Sequence, residues 1–379
     1  MKRALKIGLV CKNFFFDYGG AEGYTVSLAR ELLKHGHEVH AFANTWQEEP
    51  GIVFYHVPIV PLSLPLKNLS FALFAKKRLA EVKLDIIHSM DRTLYQDIYR
   101  ASDGIVPVHL EQGYPNPALR RLKAVGPRRL ALLYLEKRIF GDHGTKIIQT
   151  NSQLVKGHII NYYHVHPDRI RVIYNGIDTE RFFPGVRDIH RESVRKLYRI
   201  RENEILILFV SNDHRRKGLQ NLLEGINKLQ NKNIRLMVIG QGKGALGKWI
   251  EKNIPGDRIL FVGHKNDMER YYGAADIFVL PTRYDAFANV CLEAMACGLP
   301  VITTMNNGAS ELIRDGENGF VLKEGSPDEI RDRIEALRSK EYRLQMGKKA
   351  ADKAKGFTVE GNCSKVIGLY DELADRTRR

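Results

Sequence analysis

Short runs of β-branched and aliphatic residues alternate along this chain with longer stretches in which apolar residues recur every three or four positions. The two rhythms predict strands and helices in turn, which is the pattern of parallel sheets flanked by helices. In the first half, strands are expected at 5–10, 38–43, 52–57, 85–89, 146–150 and 169–174, with helices such as 21–35 and 151–163 between them. Gly36 suits a C-cap for the first helix. The rhythm breaks near Phe183, Pro184 and Gly185, and the charged stretch 187–204 reads as weakly structured, so a domain boundary is expected at 184/185. A second series follows at 205–211, 234–240, 258–262, 276–280, 300–304 and 319–322. Ser326 to Glu329 forms a capping box with Pro327 at the first helical position, and the tail from Thr358 reads as helix. The expectation is therefore an α/β chain of two doubly wound domains, 1–184 and 185–357, with helix 358–379 packed back on the first. In open parallel sheets ligands sit beyond the carboxyl ends of the strands. Two such sheets facing each other would hold a two-part substrate, one part per domain.

Composition narrows the class. A chain of 379 residues exceeds one ordinary core and suits two α/β domains. Its 44% hydrophobic and 27% charged residues describe a globular protein. No apolar run is long enough to span a bilayer, and the N-terminus lacks the pattern of a secretory leader, so a cytoplasmic location is expected. The cysteines Cys11, Cys291, Cys297 and Cys363 show neither zinc nor disulfide spacing and are expected as reduced thiols. The net charge of +15 implies anionic partners: nucleic acid, a membrane surface or phosphorylated substrates. Residues 1–178 contribute 24 basic against 16 acidic residues and the remainder 35 against 28, so both halves carry the excess on folded surfaces. No nucleic-acid signature accompanies it.

Four segments carry candidate chemistry. The strongest runs from Arg283 to Thr304, where a strand, a loop, a helix from about Asn289 and another strand follow in order. Asp285 falls in the loop at the positive end of that helix, and Glu293 about one turn inside it. Amides around Phe287, Ala288, Asn289 and Val290 could hold a phosphate, and the two carboxylates could accept bonds from ribose and sugar hydroxyls. For Asp285 alone, a plain complement to the helix dipole explains as much. The second segment, Phe209 to Gly218, places Arg215, Arg216 and Lys217 directly after a strand, which suits a diphosphate as well as an ordinary basic loop. The third, Phe16 to Glu22, holds the paired glycines Gly19 and Gly20 without a dinucleotide fingerprint. The fourth, Asp97 to Gly104, is a strand-like run ending in Asp103, which is equally an ordinary turn residue before glycine. No Asp-x-Asp pair exists in the chain, and none of the 13 histidines has a metal spacing. Residues 118–141 set seven basic residues against one acidic among large apolar ones, a composition that suits either an anionic membrane surface or a packed amphipathic helix.

At these residues the chain resembles the retaining glycosyltransferases of family 4, with the GT-B fold. The likeness covers nearly the whole length, including Tyr174 to Asp178, and its most specific part is the acid-x7-acid spacing of Asp285 and Glu293 followed by Ala294 to Val301. Within the family it resembles the glucosyltransferases that add glucose to an inner-core heptose of lipopolysaccharide, through Phe15 to Gly20, Asp97 to Asp103 and Arg215 to Gly218. The resemblance implies that Arg216 and Lys217 hold the donor diphosphate, Glu293 the ribose and Asp285 the sugar, with Phe287 to Val290 beside sugar and phosphate. It implies that Gly19 and Gly20 approach the donor phosphate and that Asp103 lines the acceptor side. It further implies transfer with retention of configuration, needing neither metal nor cofactor, from a UDP-sugar, UDP-glucose first, to a lipid-linked glycan acceptor. The enzyme would lie on the inner face of the cytoplasmic membrane through 118–141. The family usually has Glu where this chain has Asp285. The competing readings are another donor or acceptor, a sugar-nucleotide epimerase, and a basic nucleic-acid-binding protein supported by net charge alone.

Overall fold

The computed structural model describes residues 4–15, 20–142, 144–230, 233–254, 256 and 258–376. Within them the strands are β1 (Lys6–Val10), β2 (Asn13–Phe14), β3 (Glu38–Ala43), β4 (Thr45–Trp46), β5 (Ile52–His56), β6 (Ile86–Ser89), β7 (Ile98–Ala101), β8 (Ile147–Thr150), β9 (Ile170–Val172), β10 (Ile205–Ser211), β11 (Ile234–Gly240), β12 (Ile259–Gly263), β13 (Ile277–Leu280), β14 (Val301–Thr304) and β15 (Gly319–Leu322). The chain divides into two compact units, residues 1–175 with 359–379, and residues 176–358.

In the first unit seven parallel strands run in the order β5-β3-β1-β6-β7-β8-β9, and β2 pairs with β4 as a small separate ribbon. Strands β6, β7 and β8 are buried at every residue, as expected of parallel strands covered on both faces. Helix Gly20–Lys34 contributes Val26, Leu28 and Leu32 to one core, against Ile7, Leu9, Val39 and Ala41 of the strands. The terminal helix Val359–Arg376 lays Cys363, Val366 and Tyr370 into that same core. The Tyr370 hydroxyl sits 2.8 Å from Nδ1 of His88, and burial pushes the His88 imidazole down to about 3, so the pair is neutral. On the other side, helix Leu64–Leu79 seats Phe71, Ala75 and Leu79 on Phe42, Val57 and Ile87.

In the second unit six parallel strands run β12-β11-β10-β13-β14-β15. Ser326 caps helix Pro327–Ala336 in the expected box with Glu329. Two differences from the sequence pattern appear here. The stretch 187–204 contains a regular helix, Val186–Leu197. Its inward face sets the buried Val186 and Val194 beside Arg187, Arg191 and Arg195, one arginine per turn, which converge on the buried Asp276 at 3.1–3.2 Å. An apolar-periodicity reading passes over such a helix because only Val186 and Val194 are apolar on its inward side and arginines fill the rest. The unit boundary falls at 175/176, ahead of 184/185. The Ile177 amide donates to the Phe357 carbonyl, Arg181 pairs with Glu269, and Phe182 packs edge-on against Tyr272. Residues 176–184 are thus tied to the second unit.

Candidate functional site

The second sheet reverses direction at its centre. From β10 the chain steps outward through β11 and β12, then returns to β13 on the other side of β10. Loops leaving the carboxyl ends of two such neighbouring strands diverge and leave a crevice between them. The loop after β10 carries Arg216 and Lys217, and the loop after β13 carries Asp285. Two strongly marked segments of the sequence therefore meet at one point.

Their approach is fixed by the backbone. Gly218 has φ +77°, and a Cβ there would strike the Pro281 carbonyl, so only glycine lets the two loops close. The Arg283 amide donates to the Arg216 carbonyl at 2.8 Å, and the Thr282 hydroxyl donates to the same oxygen at 3.2 Å. Lys217 and Asp285, both largely buried, then form an ion pair through Nζ and Oδ2. Arg216 bridges outward. Its Nε meets Asp213 at 3.0 Å, and one terminal nitrogen reaches the Tyr284 carbonyl at 3.1 Å and Asp285 at 3.4 Å. Burial and the neighbouring Arg216 charge pull the Lys217 ammonium down to about 8, against the raising effect of Cys291 and Asp213. Burial opposes ionisation of Asp213, but the amide and guanidinium of Arg216 outweigh it and hold its carboxyl below the usual range.

Helix Asn289–Ala296 begins just past this cluster. The amides at its entrance are partly committed, unlike the free donors the sequence suggested. The Phe287 amide donates to Asp285 Oδ1 at 3.1 Å and the Ala288 amide to Asn307 Oδ1 at 3.0 Å. Glu293 follows one turn on and bonds to a different partner from Asp285: the Tyr272 hydroxyl donates to its Oε2 at 2.7 Å. Burial raises the Glu293 carboxyl, with Tyr272 and Arg181 partly offsetting the shift.

Sequence reasoning missed two supports of this site. Asn307, buried in the loop after β14, accepts the amides of Ala288 and Ala309 and donates to the Thr303 hydroxyl at 3.0 Å. Backbone bonds link Asp285 with Asn306 and Gly308 on either side of it. Tyr272 is the second. The polar run Thr303 to Asn307 at a strand's carboxyl end was the available signal for the first; Tyr272 lies in an ordinary helical stretch and offered none.

The first unit holds the remaining candidates separately. Gly20 opens the helix that follows β1, while Gly19 lies outside the described residues. Asp103 stands exposed in the turn after β7, before Gly104 with φ +73°. That turn is anchored from beneath. Arg92 donates to the Gly104 carbonyl at 3.1 Å and to Glu136 at 2.9 Å, and Glu136 also accepts the Val106 amide and the Tyr163 hydroxyl. Glu136 is fully buried, and every contact it makes is to a donor. Segment 118–141 forms two helices, Pro117–Ala124 and Pro127–Phe140, broken at Gly126. The first buries no residue at all. All four cysteines are buried and none is in a disulfide. Among the described residues no group of three or more His, Cys, Asp and Glu gathers as metal ligands would, and no helix is long and apolar enough to cross a membrane.

Two family models match the chain: "Glycosyltransferase Family 4" over residues 18–181 and "Glycosyl transferases group 1" over residues 190–353. Among curated relatives, the N-acetyl-α-D-glucosaminyl L-malate synthase of Bacillus anthracis is 25% identical over 97% of this chain and 96% of its own length. The lipopolysaccharide glucosyltransferase WaaG of Escherichia coli K12 is 26% identical over 83% of this chain and 84% of its own. A crystal structure of WaaG superposes with a TM-score of 0.82 at 22% identity, over 96% of this chain and 99% of that one. Anabaena Alr3699/HepE in complex with UDP-glucose gives a TM-score of 0.74 at 18% identity, over 97% and 100%.

Proposed function

The chain belongs to family 4 of the glycosyltransferases and has their GT-B fold, and from that premise we propose that it transfers glucose from UDP-glucose to a membrane-anchored glycan, a heptose of the lipopolysaccharide inner core. The observation that carries the donor side is the junction of Lys217, Arg216 and Asp285 at the reversal point of the second sheet. Arg216 and Lys217 supply positive charge for a leaving diphosphate. The helix start at Asn289 and Val290 adds amide dipoles of the same sign. Asp285 takes hydroxyls of the sugar, and Glu293 those of the ribose. HepE, with its bound UDP-glucose, and WaaG, named for its glucosyl transfer onto lipopolysaccharide, support this donor and acceptor.

Transfer proceeds with retention and without a metal ion. The acceptor hydroxyl attacks the face from which the diphosphate departs, and the leaving phosphate oxygen takes the acceptor's proton. No protein nucleophile enters. Asp103 lines the acceptor side, on a turn held by Arg92 and Glu136. The basic helices of 118–141 bring the enzyme to an anionic membrane, on the cytoplasmic side.

The deciding experiment measures UDP released from UDP-glucose with and without heptose-terminated lipopolysaccharide core. Acceptor-dependent release is expected. Release from another donor alone would overturn the sugar assignment, and donor consumption without acceptor would point to an epimerase. A second reading, a different donor and acceptor on the same machinery, has support in the Bacillus relative, whose name specifies N-acetylglucosaminyl transfer to malate.

A further inference from the structure

Helix Leu64–Leu79 is apolar on more sides than the fold uses. Its inner face, Phe71, Ala75 and Leu79, is consumed by the sheet. Its outer face still presents Leu64, Leu66 and Leu73, each about half exposed, and Phe74 at the edge. Leu62, just ahead of the Ser63 cap, is 83% exposed, more than any other large apolar side chain among the described residues. A helix whose outer side exposes leucines among lysines suits the boundary between water and an apolar phase. This one is not covered by the described protein on its outer side.

The charge within it has one sign, with Arg78 paired to Glu81 just past its end. Residues 58–80 contain Lys67, Lys76, Lys77 and Arg78 and no acidic residue. Three of these sit in the last helical turn, where they also complement the helix dipole. A packed helix needs the dipole complement, but it gains nothing from leucines held in water. Beside this helix packs Pro127–Phe140, which turns Leu130 and Tyr134 outward with the basic Arg128. Leu119, Leu122 and Val125 of the preceding short helix are exposed as well.

We propose that helix Leu64–Leu79, with Leu62, is a second insertion element for an anionic lipid surface, so that the first unit docks through two separate segments. The basic side chains lie at headgroup level and the leucines enter the acyl boundary. The proposal extends the membrane reading of 118–141 but stands on its own residues, and no part of 118–141 is needed to state it.

Sedimentation with phosphatidylcholine vesicles, with and without phosphatidylglycerol, tests it on the full chain. The double variant Leu66→Ser with Leu73→Ser is expected to bind anionic vesicles about tenfold more weakly, with an unchanged thermal melt because both residues are exposed. Lys76→Glu with Lys77→Glu should weaken binding in a salt-dependent way. Leu73→Trp gives a direct readout: its emission should shift to the blue on anionic vesicles. Unchanged binding of the leucine variant, or an unshifted Leu73→Trp on vesicles that retain the protein, overturns the proposal. A leucine variant that alters the oligomeric state and leaves vesicle binding intact would assign this face to protein contact instead. Neutralising Arg120, Arg121, Arg128 and Arg129 separates the two readings. Loss there with none at Leu66 and Leu73 keeps the 118–141 element and removes this one; the reverse does the opposite. Failure of the wild type to bind any vesicle removes both.

Discussion

The two ends of the second sheet each hold a buried acid among bases, and they use it differently. At the amino end Asp276 meets Arg187, Arg191 and Arg195, and its Oδ2 also accepts the Leu206 amide. Spare guanidinium donors end on the carbonyls of Ala274, Ala275 and Arg201. Burial alone would raise the Asp276 carboxyl, but Arg191, the Leu206 amide and the other arginines outweigh it and keep it ionised. At the carboxyl end the balance is left open. Lys217 is pulled down, Glu293 is pushed up, and Arg216 stays partly exposed over Asp285. A cluster whose charges are enclosed among protein partners holds a fold together, whereas one with a half-open arginine over its acid can exchange a protein partner for a ligand.

Substitutions should split along this line. Lys217→Ala is expected to lower turnover by about 10²–10³-fold while the melting temperature stays near that of the wild type. Parallel losses of activity and stability would place Lys217 with the structural charges. Asp276→Asn should do the reverse, costing roughly 3 kcal/mol in urea unfolding because three guanidiniums lose their carboxylate, with donor affinity preserved in the folded fraction. A stable Asp276→Asn protein would erase the contrast.

The pH dependence sharpens it further. Lys217 is charged below about 8, so donor affinity should fall as pH rises through that value, approaching tenfold per pH unit. Its effect on stability has the opposite sign. Between about 8 and the ordinary lysine value of 10.5 the unfolded chain still binds a proton that the folded chain has lost, so this contribution to stability rises with pH. Titrating the donor by calorimetry from neutral to mildly alkaline pH checks the first, and a flat profile would mean another group carries the diphosphate. Asp276, with its lowered carboxyl, contributes stability that is lost only in acid. The smallest effect expected is that of Tyr272→Phe. Removing the hydroxyl that orients Glu293 should raise the donor KM severalfold, about 1 kcal/mol, with kcat nearly unchanged. A fall in kcat with KM constant would contradict a role confined to ground-state donor binding.

Much of this was legible in the residues. Apart from β7, which read only as a strand-like run over 97–104, the strands of both sheets lie within a residue or two of the apolar runs that predict them, because a parallel strand covered on both faces is mostly apolar. The Ser326 box and the Gly36 stop announced their helix ends by local chemistry alone. Arg216, Lys217 and Asp285 were visible as unusual residues in the loops after strands, and Glu293 as an acid one turn into the following helix. Helix Val186–Leu197 was not, because beside Val186 and Val194 its inward positions are arginines whose place there makes sense only once Asp276 is beside them. The outer leucines of Leu64–Leu79 also escaped notice, since an apolar residue in sequence does not announce which side it faces.

Local chemistry along the chain set the alternation of elements, the family and the residue types at the strand ends, because backbone propensity, capping and hydrophobic period act over a few residues. Which of those ends become neighbours depended on the folded assembly. Lys217 and Asp285 lie 68 positions apart and meet because β10 and β13 pair across the reversal of the sheet. The same long-range assembly committed the Phe287 and Ala288 amides to internal acceptors and shifted the lysine and glutamate charges. Desolvation and cross-strand contact depend on what the rest of the chain brings alongside, and no local run of residues contains that information.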